Sequence, residues 1–229
     1  GNGTLILSCI INDTATTAIN AGTLEIGDAG TSGTLGSGNV IIASGAILEI
    51  NRSNAYNTGS AQSFSGSGTL TKDGAGNLFF NGGVDHTNVQ GISNIVVNNG
   101  MIRTDNWGQW NPNLNLTVNG PGVSEMWNTS ASLANLSGNG IVQNTKYWGR
   151  SQTLAIAAGS FSGNITDSGM TSGEGYGYGD TRIHLVKSTS GTLTLSGTTS
   201  YDGNTTIEAG TLRLGNGSSS TNLADTADV

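Results

Sequence analysis

The chain has 229 residues, of which 34% are apolar and only 10% are charged, and its formal net charge is −7. This apolar content excludes a disordered chain, and eight Lys and Arg residues spread over this length form no basic patch for nucleic acid. No apolar run approaches the roughly 20 residues of a membrane-spanning helix. Because 37 glycines and many β-branched residues disfavour helices, the composition predicts an all-β fold.

The first predicted elements form a unit that returns near the end of the chain. Residues 3–27 and 191–215 align without a gap and are identical at 12 of 25 positions. Within each unit the phrase Gly-Thr-Leu occurs twice, about one coil apart, as at Gly191 and Gly210. After each phrase Leu or Ile alternates with another residue, which is the period-2 pattern of a half-buried strand. A degenerate third copy starts at Gly76.

A unit this short cannot bury its own apolar face, so its copies must stack on one another. We therefore predict one β-helix domain over residues 1–229, with about ten coils, and keep a β-sandwich as the alternative. The first residues already have the pattern of a repeat interior, and 205–223 restarts the unit found at 17–35. We expect that the chain is excised from a larger protein. The side chains expected to point inward are Leu5, Ile26, Leu48, Leu70, Ile102, Leu193 and Leu212.

Three segments carry a family resemblance, namely TTAINAGTLEIG, GTLTLSGTTSYDGNTTIEAGTLRLG and SLANLSGNGIV. They resemble the passenger-associated repeats of bacterial autotransporters and large cell-surface proteins. The resemblance extends over about half of the chain and is strongest at its two ends. It implies a right-handed parallel β-helix and a secreted or cell-surface location. It is specific for fold rather than for function, because such repeats are scaffold.

Residues 101–182 depart from the repeat and contain all four Trp residues, together with a Gly-Tyr loop at 171–180. Trp107, Trp127 and Trp148 are 20 and 21 residues apart, which is about one coil each. Planar aromatic rings flanked by polar groups suit sugars, whose faces are apolar and whose edges form hydrogen bonds. The predicted ligand-binding residues are Trp107, Trp110, Trp127, Tyr147, Trp148, Tyr176, Tyr178, Asn106, Gln109, Glu125 and Arg150.

Within this set we expect Trp107, Trp110 and Trp148 to be exposed, because each lies in a polar sequence context. For Trp127, which follows Met126, both a core and a surface position remain open.

Catalytic and metal-binding patterns are weak. Asp105 and Glu125, one coil apart, are the one carboxylate pair that we consider for glycosidic cleavage, and no motif supports them. His86 and His184 are isolated and expected to be structural. The Gly-rich turns at 73–77 and 202–204 contain an acid but lack the further carboxylates of calcium loops. We predict no catalytic residue, no metal site and no cofactor, with calcium as an unsupported alternative, and we expect the single Cys9 to be a small buried residue.

We predict a non-catalytic carbohydrate-binding module that recognises a plant-cell-wall-type polysaccharide, such as xylan or another β-glycan. The architecture also resembles β-helical carbohydrate-binding modules of plant-cell-wall hydrolases, without a shared binding motif. The alternative is an autotransporter passenger or adhesin segment, which the repeats favour. A third candidate is a β-helical glycan lyase or hydrolase, which the scattered acids disfavour. The expected partner is a polysaccharide or oligosaccharide, and open solenoid ends also allow end-to-end self-association.

Overall fold

A computed structural model describes residues 1–58, 62–80, 89, 91–104, 110–127, 129–145, 151–167 and 181–215. These ranges contain strands and turns and no helix, which confirms the all-β prediction. In chain order the strands are β1 (Thr4–Leu7), β2 (Thr17–Ile19), β3 (Thr23–Ile26), β4 (Val40–Ile42), β5 (Ile47–Asn51), β6 (Tyr56–Asn57), β7 (Phe64–Asp73), β8 (Leu78–Phe80), β9 (Gly91–Val97), β10 (Met101–Thr104), β11 (Leu114–Val118), β12 (Val123–Glu125), β13 (Ala131–Gly138), β14 (Ile141–Asn144), β15 (Gln152–Phe161), β16 (Asn164–Asp167), β17 (Ile183–Lys187), β18 (Thr192–Leu195), β19 (Thr199–Ser200), β20 (Thr205–Ile207) and β21 (Thr211–Leu214).

The strands form two parallel sheets that share one core. The 14-stranded sheet follows the order β1-β3-β5-β7-β9-β11-β13-β15-β17-β20, with β2, β4, β18 and β21 beside this path. The seven-stranded sheet has the order β19-β16-β14-β12-β10-β8-β6. The result is a parallel β-solenoid of about 8 turns, which confirms the predicted fold class, while the right-handed sense and the count of about ten coils stay predictions. In the ranges described, no helix is long and apolar enough to cross a membrane.

The core consists of apolar columns that run from coil to coil. Leu24, Leu48, Leu70 and Ile95 are successive partners in the register of β3, β5, β7 and β9. All four are buried, while Glu49, beside Leu48, points to the outer face and is half-buried. This alternation follows from the pleat, because successive side chains of a strand point to opposite faces.

The predicted inward residues Ile26, Leu48, Leu70, Ile102 and Leu193 are fully buried, and Leu212 is partly buried against the core. The burial expected for Leu5 is wrong, since this side chain is 61% exposed. Leu5 is in register with Leu24 on one side. On its other side β1 has no neighbour among the strands described. The expected burial of Cys9 is also wrong, because Cys9 is exposed.

Short polar side chains cover much of the outer face of the 14-stranded sheet and hydrogen-bond from one coil to the next. Asn115 Nδ2 donates to Asn94 Oδ1 at 3.0 Å, and Asn119 Nδ2 donates to Asn98 Oδ1 at 2.9 Å. These side-chain bonds lie parallel to the backbone bonds between coils, so the outer surface reinforces the stacking that the apolar core drives.

Candidate functional site

The predicted ligand-binding set falls largely in segments that follow strands of the seven-stranded sheet. Three of its members, Trp110, Glu125 and Trp127, belong to the described residues. The other eight lie outside them, as does Asp105: Asn106, Trp107, Gln109, Tyr147, Trp148, Arg150, Tyr176 and Tyr178. Their segments follow β10, β14 and β16, which flank or lie near β12 in that sheet. The aromatic surface as a whole stays a prediction.

Trp110 lies in the core, so its predicted exposure is wrong. Its side chain is 4% exposed and belongs to the main apolar cluster. Within the part of the chain that the structure describes, its indole Nε1 has no hydrogen-bond partner. The polar sequence around Trp110 suggested a surface position, but the large apolar area of an indole favours burial whenever a coil leaves room for it. Trp110 therefore stabilises the fold.

Trp127 is half-buried and packs against an arginine on the outer face of the solenoid. Arg103 Cζ lies 4.3 Å from the centroid of the Trp127 ring and 4.1 Å from that of Phe79. The guanidinium thus contacts both rings, at distances where cation–π attraction is favourable. Trp127 has a φ of 29°, in the left-handed region that non-glycine residues rarely adopt. We call Phe79, Arg103 and Trp127 the aromatic–arginine stack.

The stack follows from the register of the seven-stranded sheet. Phe79 pairs with Arg103 between β8 and β10, and Arg103 pairs with Glu125 between β10 and β12. Sequence analysis missed Phe79 and Arg103, although their spacing to the next partner is 24 and 22 residues, about one coil each. The coil-length spacing that we applied to the Trp residues would have found them, had it been applied to every aromatic and charged residue.

Glu125 is 1% exposed and its carboxylate joins two coils. Oε1 accepts from the backbone N–H groups of Trp127 at 3.3 Å and Thr145 at 2.9 Å. Oε2 accepts from Gln143 Nε2 at 2.8 Å and from the Thr145 hydroxyl at 2.7 Å. A carboxylate has about four acceptor positions, so these bonds occupy them. Glu125 therefore connects the turns that follow β12 and β14 and does not line an open surface, as its predicted role required.

Acidic side chains stack elsewhere on the outer face, at the other end of the described chain. Glu25 and Glu49 are register partners in β3 and β5, and Asn51 Nδ2 donates to Glu25 Oε1 at 2.8 Å. Burial raises the pKa of Glu49, and the nearby Glu25 and Asp73 carboxylates raise it further. Among the described residues, no group of three or more His, Cys, Asp or Glu side chains is placed to hold a metal ion.

A cavity of about 320 Å³ lies between residues 10–13, residues 34–37 and β6. Its buried polar groups are engaged in bonds between coils. The Tyr56 hydroxyl accepts from the Leu35 backbone N–H at 3.0 Å. Gln62 Nε2 donates to the carbonyl oxygens of Gly36 and Gly38, both at 2.8 Å. These groups stabilise the stacking of the coils at this corner.

The passenger-associated-transport-repeat family model matches residues 1–26 and 185–214, about a quarter of the chain. Both matched segments hold the Gly-Thr-Leu strands in the same arrangement, with Thr4 opposite Thr23 and Thr192 opposite Thr211. The match and the β-solenoid fold confirm the resemblance to autotransporter-type β-helix repeats. No curated protein matches the chain, and no solved structure does.

Proposed function

We propose that this chain is a scaffold segment of an autotransporter-type passenger, secreted by a bacterium or displayed on its surface. The observation that carries the proposal is the family match at 1–26 and 185–214, on segments that have one structure. In a stacked solenoid each coil depends on its neighbours, so the scaffold extends by adding coils. The passenger reading is therefore better supported than the carbohydrate-binding module that the aromatic residues predicted.

The chemistry of the chain suits a rod that folds outside the cell. Its single cysteine, Cys9, is exposed, so no disulfide within the chain has to form during export. The bonds between coils are mostly backbone bonds between neighbouring strands, which form as each coil is added to the one before it.

Surface display tests this proposal. The chain, with an N-terminal epitope tag, replaces the passenger of a bacterial autotransporter, and intact cells are probed with antibody before and after protease treatment. We expect a displayed, protease-resistant passenger. The matched controls are Leu193→Asp, at a fully buried position, and Thr194→Asp, next to it and half-buried on the outer face. Leu193→Asp should be degraded, because a buried unpaired charge unfolds the coil, while Thr194→Asp should behave like wild type.

Retention of the wild-type chain inside the cell, or degradation as fast as that of Leu193→Asp, would contradict the proposal. A surface-displayed chain that resists protease supports it whether or not the chain binds a ligand.

Glycan binding remains a second proposal, supported by the partly exposed aromatic–arginine stack at Phe79, Arg103 and Trp127. Its test is Trp fluorescence titrated with xylo-, cello- and manno-oligosaccharides. Trp127→Phe should abolish the response, whereas Trp110→Phe, at the buried Trp, should preserve it. Binding should depend little on salt, because stacking on a sugar face is not a Coulomb interaction. No response of the wild-type chain to any of these sugars or to their polymers would remove this proposal.

A further inference from the structure

Two lysines lie in the core of the solenoid, at positions where the neighbouring coils have apolar residues. Lys72, in β7, is 1% exposed and is in register with Ile50 and Val97. Lys187, in β17, is 0% exposed and is in register with Ile156 and Ile207. A buried ammonium is costly unless its N–H groups are hydrogen-bonded, so each lysine needs a partner set inside the fold.

Backbone carbonyl oxygens form that partner set for Lys72. Its ammonium donates to the Asp73 and Gly74 carbonyls of its own turn, at 2.7 Å for Gly74. It also donates to the Asn99 carbonyl, in the turn of the next coil, at 3.2 Å. In return the Lys72 carbonyl accepts from the backbone N–H groups of Asn98 at 2.9 Å and Asn99 at 3.4 Å.

Lys187 makes the same bonds at a different place in the solenoid. Its ammonium donates to the Thr189 carbonyl of its own turn at 2.5 Å and to the Ala209 carbonyl of the next coil at 3.2 Å. Its carbonyl accepts from the N–H groups of Glu208 at 2.9 Å and Ala209 at 3.3 Å. In both cases the clamped turn ends in glycine, Asn98-Asn99-Gly100 and Glu208-Ala209-Gly210. Two independent occurrences of one bonding pattern indicate a device rather than an accident of packing.

The apolar columns alone do not determine how one coil aligns with the next. Leu48, Leu70, Ile95 and Leu116 occupy one inward column, and Ile50, Val97 and Val118 occupy the next. A slip of one residue would turn every inward side chain outward, but a slip of two residues keeps Leu, Ile and Val facing inward. Such a slip moves the next turn by about 6.6 Å along the strand, beyond hydrogen-bond reach of the ammonium.

We infer that Lys72 and Lys187 are register-specifying residues, whose buried ammonium groups bind the Gly-ended turn of the next coil and thereby exclude coil pairings shifted by two residues. This role goes beyond the proposed scaffold function and does not depend on it. It requires that a slipped coil lose the bond to a buried ammonium, which lowers its population by at least about tenfold.

Disulfide cross-linking distinguishes the two registers. In the native register Thr71 and Val96 are direct partners on the outer face, whereas Thr71 and Asn94 are two residues out of register. Neighbouring parallel strands are about 4.8 Å apart, so the diagonal pair is about 8 Å apart, too far for a disulfide. The pairs Thr71→Cys with Val96→Cys and Thr71→Cys with Asn94→Cys are made in a Cys9→Ser background, refolded from urea under mild oxidation and mapped by peptide mass spectrometry.

With Lys72 present, we expect the Thr71–Val96 pair to cross-link and the Thr71–Asn94 pair to remain reduced. With Lys72→Met, the cross-linked fraction of the Thr71–Asn94 pair should rise by at least about tenfold, because the slipped register no longer loses a bond of a buried charge. Ile50→Met is the matched control, at the same column one coil earlier, and should leave the diagonal pair reduced.

A folded Lys72→Met protein whose diagonal pair cross-links no more than in Ile50→Met would overturn the inference. If Lys72→Met does not fold, Lys187→Met carries the same test, with Val186 and Thr206 as the native pair and Val186 and Asn204 as the diagonal pair. Failure here leaves the surface-display experiment unaffected, so the two proposals fail separately.

Discussion

The two repeat units at the ends of the described chain have nearly the same sequence and the same register, yet their cores differ. In the C-terminal unit, Leu193 is fully buried, because its strand β18 lies between β15 and β21. In the N-terminal unit, Leu5 occupies the equivalent position and is 61% exposed, since β1 has one described neighbour, β3. The comparison shows that burial in a solenoid is a property of the stack, and that a repeat determines only which way its side chains point.

Truncation of the core leucine should give the largest difference between the two units. Leu193→Ala is expected to cost about 2–5 kcal/mol through lost transfer free energy and the cavity that remains. Leu5→Ala should cost less than about 1 kcal/mol, because that side chain keeps most of its contact with water. Urea unfolding followed by circular dichroism measures both values. Equal losses of stability would mean that the N-terminal coil is covered in solution.

The turn glycines should respond alike in both units, although the cores differ. Gly22 and Gly210 have φ values of 74° and 77°, and an added Cβ would lie 2.4 Å from the Gly3 carbonyl oxygen and 2.3 Å from that of Gly191. Each Gly→Ala substitution should cost about 1–3 kcal/mol, from backbone strain and the clash with the preceding coil. The measurement is thermal unfolding of both variants.

Gly45→Ala is the matched control for the turn glycines, because Gly45 has a φ of 77° and open space around its Cα. It should show the strain without the clash and hence a smaller loss of stability than Gly210→Ala. A loss as large as that of Gly210→Ala would remove the role that we give to close contact between coils.

The electrostatic difference between the units should have a smaller effect. Glu25 in the N-terminal unit corresponds to Arg213 in the C-terminal unit, and Glu25 faces Glu49. Because the pKa of Glu49 is raised in the folded state, the folded protein holds this proton more tightly than the unfolded chain does. The ionised group therefore lowers stability above the raised pKa, and the loss is relieved as the pH falls through it.

Glu49→Gln should accordingly increase stability by about 0.2–1 kcal/mol at pH 7, the range for like charges facing each other across strands. The gain should vanish below the raised pKa, where wild-type Glu49 is protonated. Urea unfolding of wild type and Glu49→Gln across a pH series tests the sign. A variant that is less stable than wild type at pH 7 would contradict the assignment of repulsion to this pair.

The smallest effect is expected on the outer face, where the comparison between the units should disappear. Thr194 is half-buried on that face, and the equivalent residue of the N-terminal unit is Ile6. Thr194→Ala and Ile6→Thr should each change stability by less than about 0.5 kcal/mol. Thermal unfolding of both variants, beside Leu193→Ala, measures the contrast. A large effect of Thr194→Ala would show that this face is covered.

The aromatic region shows where reasoning from sequence reached its limit. Coil-length spacing placed Trp127 one rung from its neighbours in the register, but it did not determine the depth of each indole. Trp110 lies in the core, and Glu125 is enclosed by the turns that it joins, because both positions depend on how much space the adjoining coils leave. The partner of Trp127 is Arg103, which lies on the preceding coil and is 24 residues away in the chain. Local sequence contains no information on such depth.

By itself, the sequence determined the all-β class, the parallel stacking of coils and the inward direction of residues such as Leu48, Leu70 and Leu193. These features follow from an alternating pattern that repeats at one coil length, and a short repeat of this kind can bury its apolar face only by stacking. The tertiary structure alone decided which inward positions are covered, which polar groups lie inside, and how Lys72 and Lys187 are accommodated there. Those outcomes depend on contacts between residues 20 or more positions apart, where a carbonyl oxygen of the next coil either reaches a buried ammonium or does not.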